Sequence, residues 1–146
     1  MKKKSVEFTL KAEKMDFPIE KIRSTQDAYN YARKFYFDDI NIYESVFIVL
    51  LNQANNTIGY AKISQGGVNS CLVDKRSVSK YAIESLASAV ILVHNHPSGC
   101  LKPSQYDDQL TKSIQACLQV FDIKLLDHII ITDDNGYYSY NDECRL

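Results

Sequence analysis

The sequence has almost no net charge and no long apolar run. Its 17 lysine and arginine residues are balanced by 18 aspartate and glutamate residues, so the formal net charge is −1. That balance gives no general attraction to nucleic acid or to an anionic membrane, and we interpret Lys2, Lys3 and Lys4 as a solvated charge cluster. No run approaches the roughly 18 apolar residues that cross a bilayer. No apolar stretch of about 7–15 residues follows the lysines, as a signal peptide would require. We therefore expect no membrane partner and no secretion signal.

Cysteine is sparse and scattered. The four cysteines, Cys71, Cys100, Cys117 and Cys144, form no Cys-x-x-Cys pair and no spacing typical of a disulfide framework. This usage favours a reducing compartment, and we expect a cytoplasmic protein. The sequence also lacks His-x-Glu and Pro-Cys-x-x-Cys, the signature of zinc deaminases, which excludes that class of enzyme.

The composition is that of one globular domain. The 146 residues are 45% hydrophobic and 24% charged, and a chain of this length can bury a core. Apolar and β-branched runs predict strands at residues 45–51, 57–64, 90–96, 125–132 and 137–140, with weaker candidates at 5–10 and 68–72. The run at 90–96 is short and unbroken, which is typical of a central strand.

Helix caps precede three apolar stripes of helical period. They lie at residues 24–27, at 74–77 and at Ser104. We expect Leu86 in the second stripe, and Cys117 and Phe121 in the third, to be buried. Residues 38–41 are predicted to form a loop. Together the elements predict an α/β domain, a single mixed β-sheet with two or three flanking helices.

Two histidines end the predicted central strand. Side chains alternate along a strand, so His94 and His96 leave the same face roughly 6.6 Å apart along the chain. At that spacing both imidazoles can reach one cation, and Asp107 at the start of the next helix can supply an oxygen. Two histidines and a carboxylate leave a fourth tetrahedral position open, as in catalytic zinc sites. The alternative for either histidine alone is an ordinary buried, hydrogen-bonded side chain.

Four residues, Ser104, Asp107, Glu44 and His128, have both a structural and a functional interpretation. Ser104 and Asp107 have the spacing of a helix capping box, which also fixes Asp107 at a rigid helix start. Glu44 precedes the strand at 45–51 and is the candidate base, provided that this strand lies beside 90–96; otherwise it is an exposed charge. His128, next to Asp127 on a buried strand, is predicted to be a hydrogen-bonded partner rather than a ligand.

These residues together form a known motif. Glu44, then His94-Asn95-His96-Pro97, six residues, Ser104, two residues and Asp107 resemble the Glu…His-x-His-Pro-x6-Ser-x2-Asp motif of JAMM (MPN-plus) metalloproteases. Residues 94–99 and 125–130 are similar to the RadC branch of that superfamily. The resemblance covers a domain at 22–146, with residues 1–21 as an N-terminal extension, and implies a cytidine-deaminase-like α/β fold.

The resemblance also implies a chemistry. His94, His96 and Asp107 would bind Zn²⁺, Glu44 would hold and deprotonate the attacking water, and Ser104 would donate a hydrogen bond to the oxyanion. The implied reaction is hydrolysis of a peptide or isopeptide bond in a protein or peptide substrate. No oligomeric state is implied.

Two alternatives to a peptidase stay open. The branch is associated with DNA repair, which suggests a nucleic-acid-associated protein; the string His-Asn-His is not itself evidence for a nuclease. RadC-like proteins often carry an N-terminal helix-hairpin-helix segment, and about twenty residues precede the matching region here, so the resemblance does not carry a DNA contact of that segment over to this sequence. The other alternative is a non-catalytic metal-binding module that docks a partner. Cys100 stands where the branch suggests an acidic residue, and we interpret it as neutral loop filler or as a thiol that modulates metal occupancy.

Overall fold

The computed structural model describes residues 4–7, 9, 11–14, 17–36, 38–67, 72–134 and 136–146. Within them the chain alternates helices and strands. In chain order these are helix α1 (Thr25–Arg33), a 3-10 turn (Asp38–Asn41), strands β1 (Ser45–Leu51) and β2 (Thr57–Gln65), helix α2 (Lys75–Glu84), strand β3 (Ala89–Asn95), helix α3 (Gln105–Gln119), and strands β4 (Lys124–Ile131) and β5 (Tyr137–Ser139).

The described strands form one mixed sheet in the order β2-β1-β3-β4-β5. β1 pairs antiparallel with both β2 and β3, β3 pairs parallel with β4, and β4 pairs antiparallel with β5. The α/β class, the mixed sheet and the central place of β3 are therefore confirmed. Because β1 and β3 are neighbours, with Val46 opposite His94, Glu44 lies at the sheet end that carries the histidines.

Side-chain alternation divides the core into two layers. In β3, Ile91 and Val93 pack on one face with the residues of α1, while Val90 and Leu92 pack on the other with α2 and α3. By the same period of two, His94 faces α3 and Asn95 faces the α1 side. All seven residues of β3 are buried, as expected of a strand with neighbours on both edges and helices on both faces.

Two predicted core residues lie at the surface. Leu86 is 85% exposed and Phe121 is 52% exposed, so their predicted burial is wrong. α2 stops because Leu86 takes the left-handed conformation (φ 53°), which lets the N–H groups of Leu86 and Ala87 donate to Ile83 and Ala82. Asp122 (φ 57°) ends α3 in the same way. Glycine is the usual residue at such a helix end. Since neither helix has a glycine there, the sequence did not indicate that α2 and α3 end before Leu86 and Phe121 could be buried.

Three weaker predictions differ in outcome. Residues 38–41 form a 3-10 turn rather than an irregular loop, so that prediction is wrong. The candidate strand at 5–10 is also wrong where it is described, since residues 5–7 and 9 are not in a strand. The candidate strand at 68–72 lies outside the described residues except for Leu72. The division into 1–21 and 22–146 stays a prediction.

Among the described residues, no helix combines the length and the apolar character that crossing a bilayer requires.

Candidate metal centre

Four predicted residues converge at one end of the sheet. His94 is the last but one residue of β3 and faces α3. His96 follows directly after the strand, and its N–H donates to the Ile131 carbonyl. Asp107 lies in the first turn of α3, buried and 4% exposed. Glu44 lies directly before β1. Nitrogen and carboxylate oxygen atoms of all four residues lie within 4.8 Å of one another.

The distances within this cluster suit a tetrahedral ion. Asp107 Oδ1 lies 3.3 Å from His94 Nε2, and Asp107 Oδ2 lies 3.4 Å from His96 Nε2. Ligands held at 2.0–2.1 Å around a tetrahedral zinc are about 3.4 Å apart. The two Nε2 atoms are closer, at 2.9 Å. Glu44 Oε1 is farther out, 3.8 and 4.0 Å from the two Nε2 atoms. His94, His96 and Asp107 therefore fit a shared cation, and Glu44 fits a place beside it.

A hydrogen bond at Nδ1 of His96 leaves its other ring nitrogen, Nε2, available to bind a metal. Its Nδ1 lies 2.6 Å from the Cys100 carbonyl oxygen. A carbonyl only accepts, so Nδ1 carries the proton and donates. In neutral His96 the lone pair is then on Nε2, the atom that faces Asp107 and His94. Cys100 thus supports the site through its backbone, and its side chain is exposed.

Burial and neighbouring groups shift the pKa values of Asp107 and His96. Burial would raise the pKa of Asp107, but the His94 and His96 imidazoles that face its carboxylate outweigh it and hold that pKa well below its usual value of 3.8. Burial would lower the pKa of His96, but its hydrogen bonds to Asp107 and the Cys100 carbonyl, with the nearby carboxylates, raise it above 6.5. Asp107 is therefore anionic, and the cluster attracts positive charge, either protons or a metal ion.

Glu44 has the character of a proton acceptor. Burial raises its pKa from the usual 4.5, and the neighbouring Asp107 charge adds to that, against the lowering effect of His94 and His96. A carboxylate with a raised pKa transfers protons more readily near neutral pH.

Ser104 confirms the predicted capping box. Its side chain accepts from the Asp107 N–H at 3.0 Å, and its own N–H donates to Asp107 Oδ2 at 2.8 Å. The bond at Asp107 Oδ2 helps to fix the carboxylate that faces His96. Ser104 is exposed, and its hydroxyl proton is not used by the cap, so it can also donate a hydrogen bond to another group.

The sequence interpretation missed Asn95, the residue between the histidines. It is fully buried on the sheet face opposite His94. Its Oδ1 accepts from the Ser45 N–H at 2.7 Å, and its Nδ2 donates to the carbonyls of Ile40 and Tyr43 at 2.7 and 2.8 Å. Asn95 therefore fixes the backbone on both sides of Glu44. Its position between two candidate ligands was the available signal.

His128 is hydrogen-bonded, as predicted, and is not in the ligand cluster. Its ring is fully buried and stacks on Tyr140 at 4.8 Å between ring centroids. His128 Nε2 lies 2.7 Å from His94 Nδ1, and His128 Nδ1 lies 2.6 Å from the hydroxyl of Thr111. Thr111 was also missed, because nothing in the period of α3 distinguishes a threonine that contacts a histidine from one in the core.

Comparison with known proteins assigns the family. The family model described as a RadC-like JAB domain matches residues 22–145. The chain therefore belongs to the RadC-like JAB domain family, and its five-stranded mixed sheet with three helices, counted over the described residues, is consistent with an MPN/JAB fold.

Several relatives carry the name UPF0758 protein. The chain is 41% identical to one from Flavobacterium johnsoniae over 125 residues, which are 86% of this chain and 53% of the relative. It is 43% identical to one from Porphyromonas gingivalis over 103 residues, 70% of this chain and 45% of the relative. A relative from Chlorobium phaeovibrioides is 37% identical over 126 residues, 86% of this chain and 55% of that protein. The chain thus spans about half the length of these relatives.

Proposed function

We propose that this protein is a zinc-dependent hydrolase that cleaves a peptide or isopeptide bond in a protein or peptide substrate. The observation that carries the proposal is the convergence of Glu44 with His94, His96 and Asp107 within 4.8 Å. A site for storage or structure needs ligands only. Here a fourth, partly buried acidic group with a raised pKa lies beside the ligands, as a reaction that moves a proton requires.

The donor set supports zinc as the metal. His94 and His96 would supply imidazole nitrogens and Asp107 a carboxylate oxygen, a ligand set that suits a four-coordinate ion of intermediate softness. When bound, zinc supplies Lewis-acid chemistry, polarising the substrate carbonyl and making water easier to deprotonate.

Glu44 and Ser104 would carry out the proton and charge steps. Glu44 Oε1 would take a proton from the attacking water as its oxygen adds to the carbonyl carbon. The same carboxyl group would return that proton to the departing amine when the C–N bond breaks. The Ser104 hydroxyl, placed one helical turn from Asp107, would donate to the oxygen that becomes negative, an interaction worth about two to three orders of magnitude in rate.

The experiment compares wild type with Glu44→Gln. Both are purified without chelators, analysed for zinc, loaded with zinc and tested on a peptide library. Glutamine keeps the shape of Glu44 but cannot accept a proton, so we expect about one zinc per chain in both proteins and cleavage reduced by about 10²–10⁴-fold in the variant. His94→Ala should lose the zinc as well. Equal cleavage by Glu44→Gln, or a wild type that takes up no zinc, would contradict the proposal.

The same preparation separates the alternative functions. Zinc binding without cleavage of any peptide would favour a docking module. Tight binding to duplex or branched DNA with a steep dependence on salt would favour a nucleic-acid-associated protein. We also retain the cytoplasmic setting as a proposal, supported by the free thiols of Cys100, Cys117 and Cys144.

A further inference from the structure

A chain of hydrogen bonds joins one candidate ligand to another behind the metal centre. It runs from His94 Nδ1 to His128 Nε2 at 2.7 Å, from His128 Nδ1 to Thr111 Oγ1 at 2.6 Å, and from Thr111 Oγ1 to the backbone carbonyl of Asp107 at 2.7 Å. These hydrogen bonds connect β3, β4 and α3. Its members are almost fully buried, with exposures of 2% for His94, 0% for His128 and 1% for Thr111.

The far end of this chain fixes its direction. The Asp107 carbonyl can only accept, so the Thr111 hydroxyl donates its single proton there. Thr111 Oγ1 must then accept from His128 Nδ1, which therefore carries a proton. A second proton would place a charge on a ring with no exposed surface, which is costly. His128 Nε2 is consequently an acceptor, and His94 Nδ1 is the donor.

We propose that Thr111 and His128 are positioning residues that fix His94 in the tautomer with its proton on Nδ1 and its lone pair on Nε2. This inference rests on the metal-binding part of the proposed function and not on hydrolysis. The lone pair on His94 Nε2 then points at the place where His96 Nε2 and Asp107 also converge. A ligand with a fixed ring and tautomer binds a metal more tightly, and loss of such support costs about 10–100-fold in affinity.

The two histidines reach the same state by different means. His96 donates to a backbone carbonyl, that of Cys100, which no side-chain substitution removes. His94 depends on two side chains, so its tautomer can be changed without touching a ligand. That difference makes the proposal testable at Thr111, which contacts neither His96 nor Glu44 in the hydrogen bonds of the structure.

The experiment uses three variants of the full chain. Thr111→Val removes the hydroxyl at nearly constant volume, and Thr111→Ser keeps it. Thr57→Val is the matched control. Thr57, the first residue of β2, is also buried, and its hydroxyl accepts a hydrogen bond from the Glu20 N–H. The readouts are the ring ¹⁵N chemical shifts of metal-free protein at about pH 8, above the usual histidine pKa, and zinc affinity from competition with a chelator.

The wild type should show His94 protonated on Nδ1 alone. In Thr111→Val the acceptor for the His128 Nδ1–H is gone, so we expect a mixture of His94 tautomers and zinc affinity lower by about 10–100-fold. Thr111→Ser should restore both readouts, and Thr57→Val should change neither. Should Thr111→Val fail to fold, Thr111→Ala removes the same hydroxyl and leaves a small cavity.

Unchanged ¹⁵N shifts and unchanged zinc affinity in Thr111→Val would overturn the proposal. An equal loss of affinity in Thr111→Val, Thr111→Ser and Thr57→Val would also overturn it, because the effect would then follow stability alone. Neither readout involves cleavage. A wild type that shows the fixed tautomer but cleaves no peptide would therefore contradict the proposed hydrolysis and leave this inference standing.

Discussion

Asn95 should control the position of Glu44 without controlling the metal. Its amide makes three buried hydrogen bonds to the backbone of the segment that carries Glu44: to Ser45 at 2.7 Å, to Ile40 at 2.7 Å and to Tyr43 at 2.8 Å. The histidines on either side of it point to the opposite face of the sheet. Asn95→Ala should therefore release the Glu44 segment while leaving the ligands in place.

The size of the effect follows from these bonds. An intramolecular hydrogen bond contributes about 1 kcal/mol net, and a partner left unsatisfied in the interior costs more. The loss of three bonds predicts that Asn95→Ala lowers the free energy of unfolding by about 3 kcal/mol. Asn95→Asp keeps the acceptor for the Ser45 N–H but places a carboxylate oxygen against the Ile40 and Tyr43 carbonyl oxygens in the interior, so it should destabilise the protein at least as much as Asn95→Ala. Displacement of the base by about 1 Å should reduce cleavage by roughly 10²-fold.

The assay combines urea unfolding, zinc analysis and cleavage. The control is Asn52→Ala, which removes two side-chain-to-backbone bonds in the exposed turn at 52–56, far along β1 from Glu44. We expect the control to retain cleavage and Asn95→Ala to retain zinc but lose cleavage. If Asn95→Ala cleaves at the wild-type rate, or if it loses zinc together with activity, the separation of roles argued from the two sheet faces is wrong.

Three further predictions concern the cap, the charges and the fold. Ser104→Asp keeps the cap acceptor but has no hydroxyl proton, so its stability should stay near wild type while cleavage of zinc-loaded protein falls about 10²–10³-fold; equal cleavage would remove Ser104 from its proposed role. In metal-free protein the raised pKa of His96 stabilises the fold fully below about pH 6.5, and this stabilisation is lost as the pH rises through the raised value. The lowered pKa of Asp107 stabilises the fold above about pH 4, and this stabilisation is lost on acidification. Urea unfolding should therefore show this contribution at its largest between about pH 4 and 6.5, and a profile parallel to that of Asp107→Asn would contradict it. Leu86→Gly relieves a left-handed, 85% exposed residue and should raise the free energy of unfolding by about 1 kcal/mol, measured by urea unfolding, whereas a loss of stability would refute the explanation of how α2 ends.

The sequence predicted the parts of the site that depend on local periodicity. The period of two placed His94 and His96 on one face of a strand, and the capping pattern placed Asp107 at a helix start. Both statements concern neighbours in sequence, where backbone geometry alone decides. The strand runs were predicted for the same reason, and β3 differs from its prediction by one residue at each end.

The remaining parts depend on contacts between distant residues. His128 reaches His94 only because β4 pairs parallel with β3 in one register, Leu92 opposite His128, and no periodicity encodes a register between strands separated by a helix. Asn95 looks like a spacer in the sequence because its partners lie about fifty residues away. The ends of α2 and α3 were missed since Leu86 and Asp122 occupy positions where glycine is the usual signal.

Zinc K-edge X-ray absorption on the zinc-loaded chain tests the central claim most directly, because it reports the atoms bound to the metal. The account predicts imidazole scattering from two histidines with nitrogen and oxygen neighbours at about 2.0–2.1 Å, and loss of the bound zinc in His94→Ala. A sulfur neighbour at about 2.3 Å, which would indicate Cys100 or another thiol, or the absence of imidazole scattering, would contradict it.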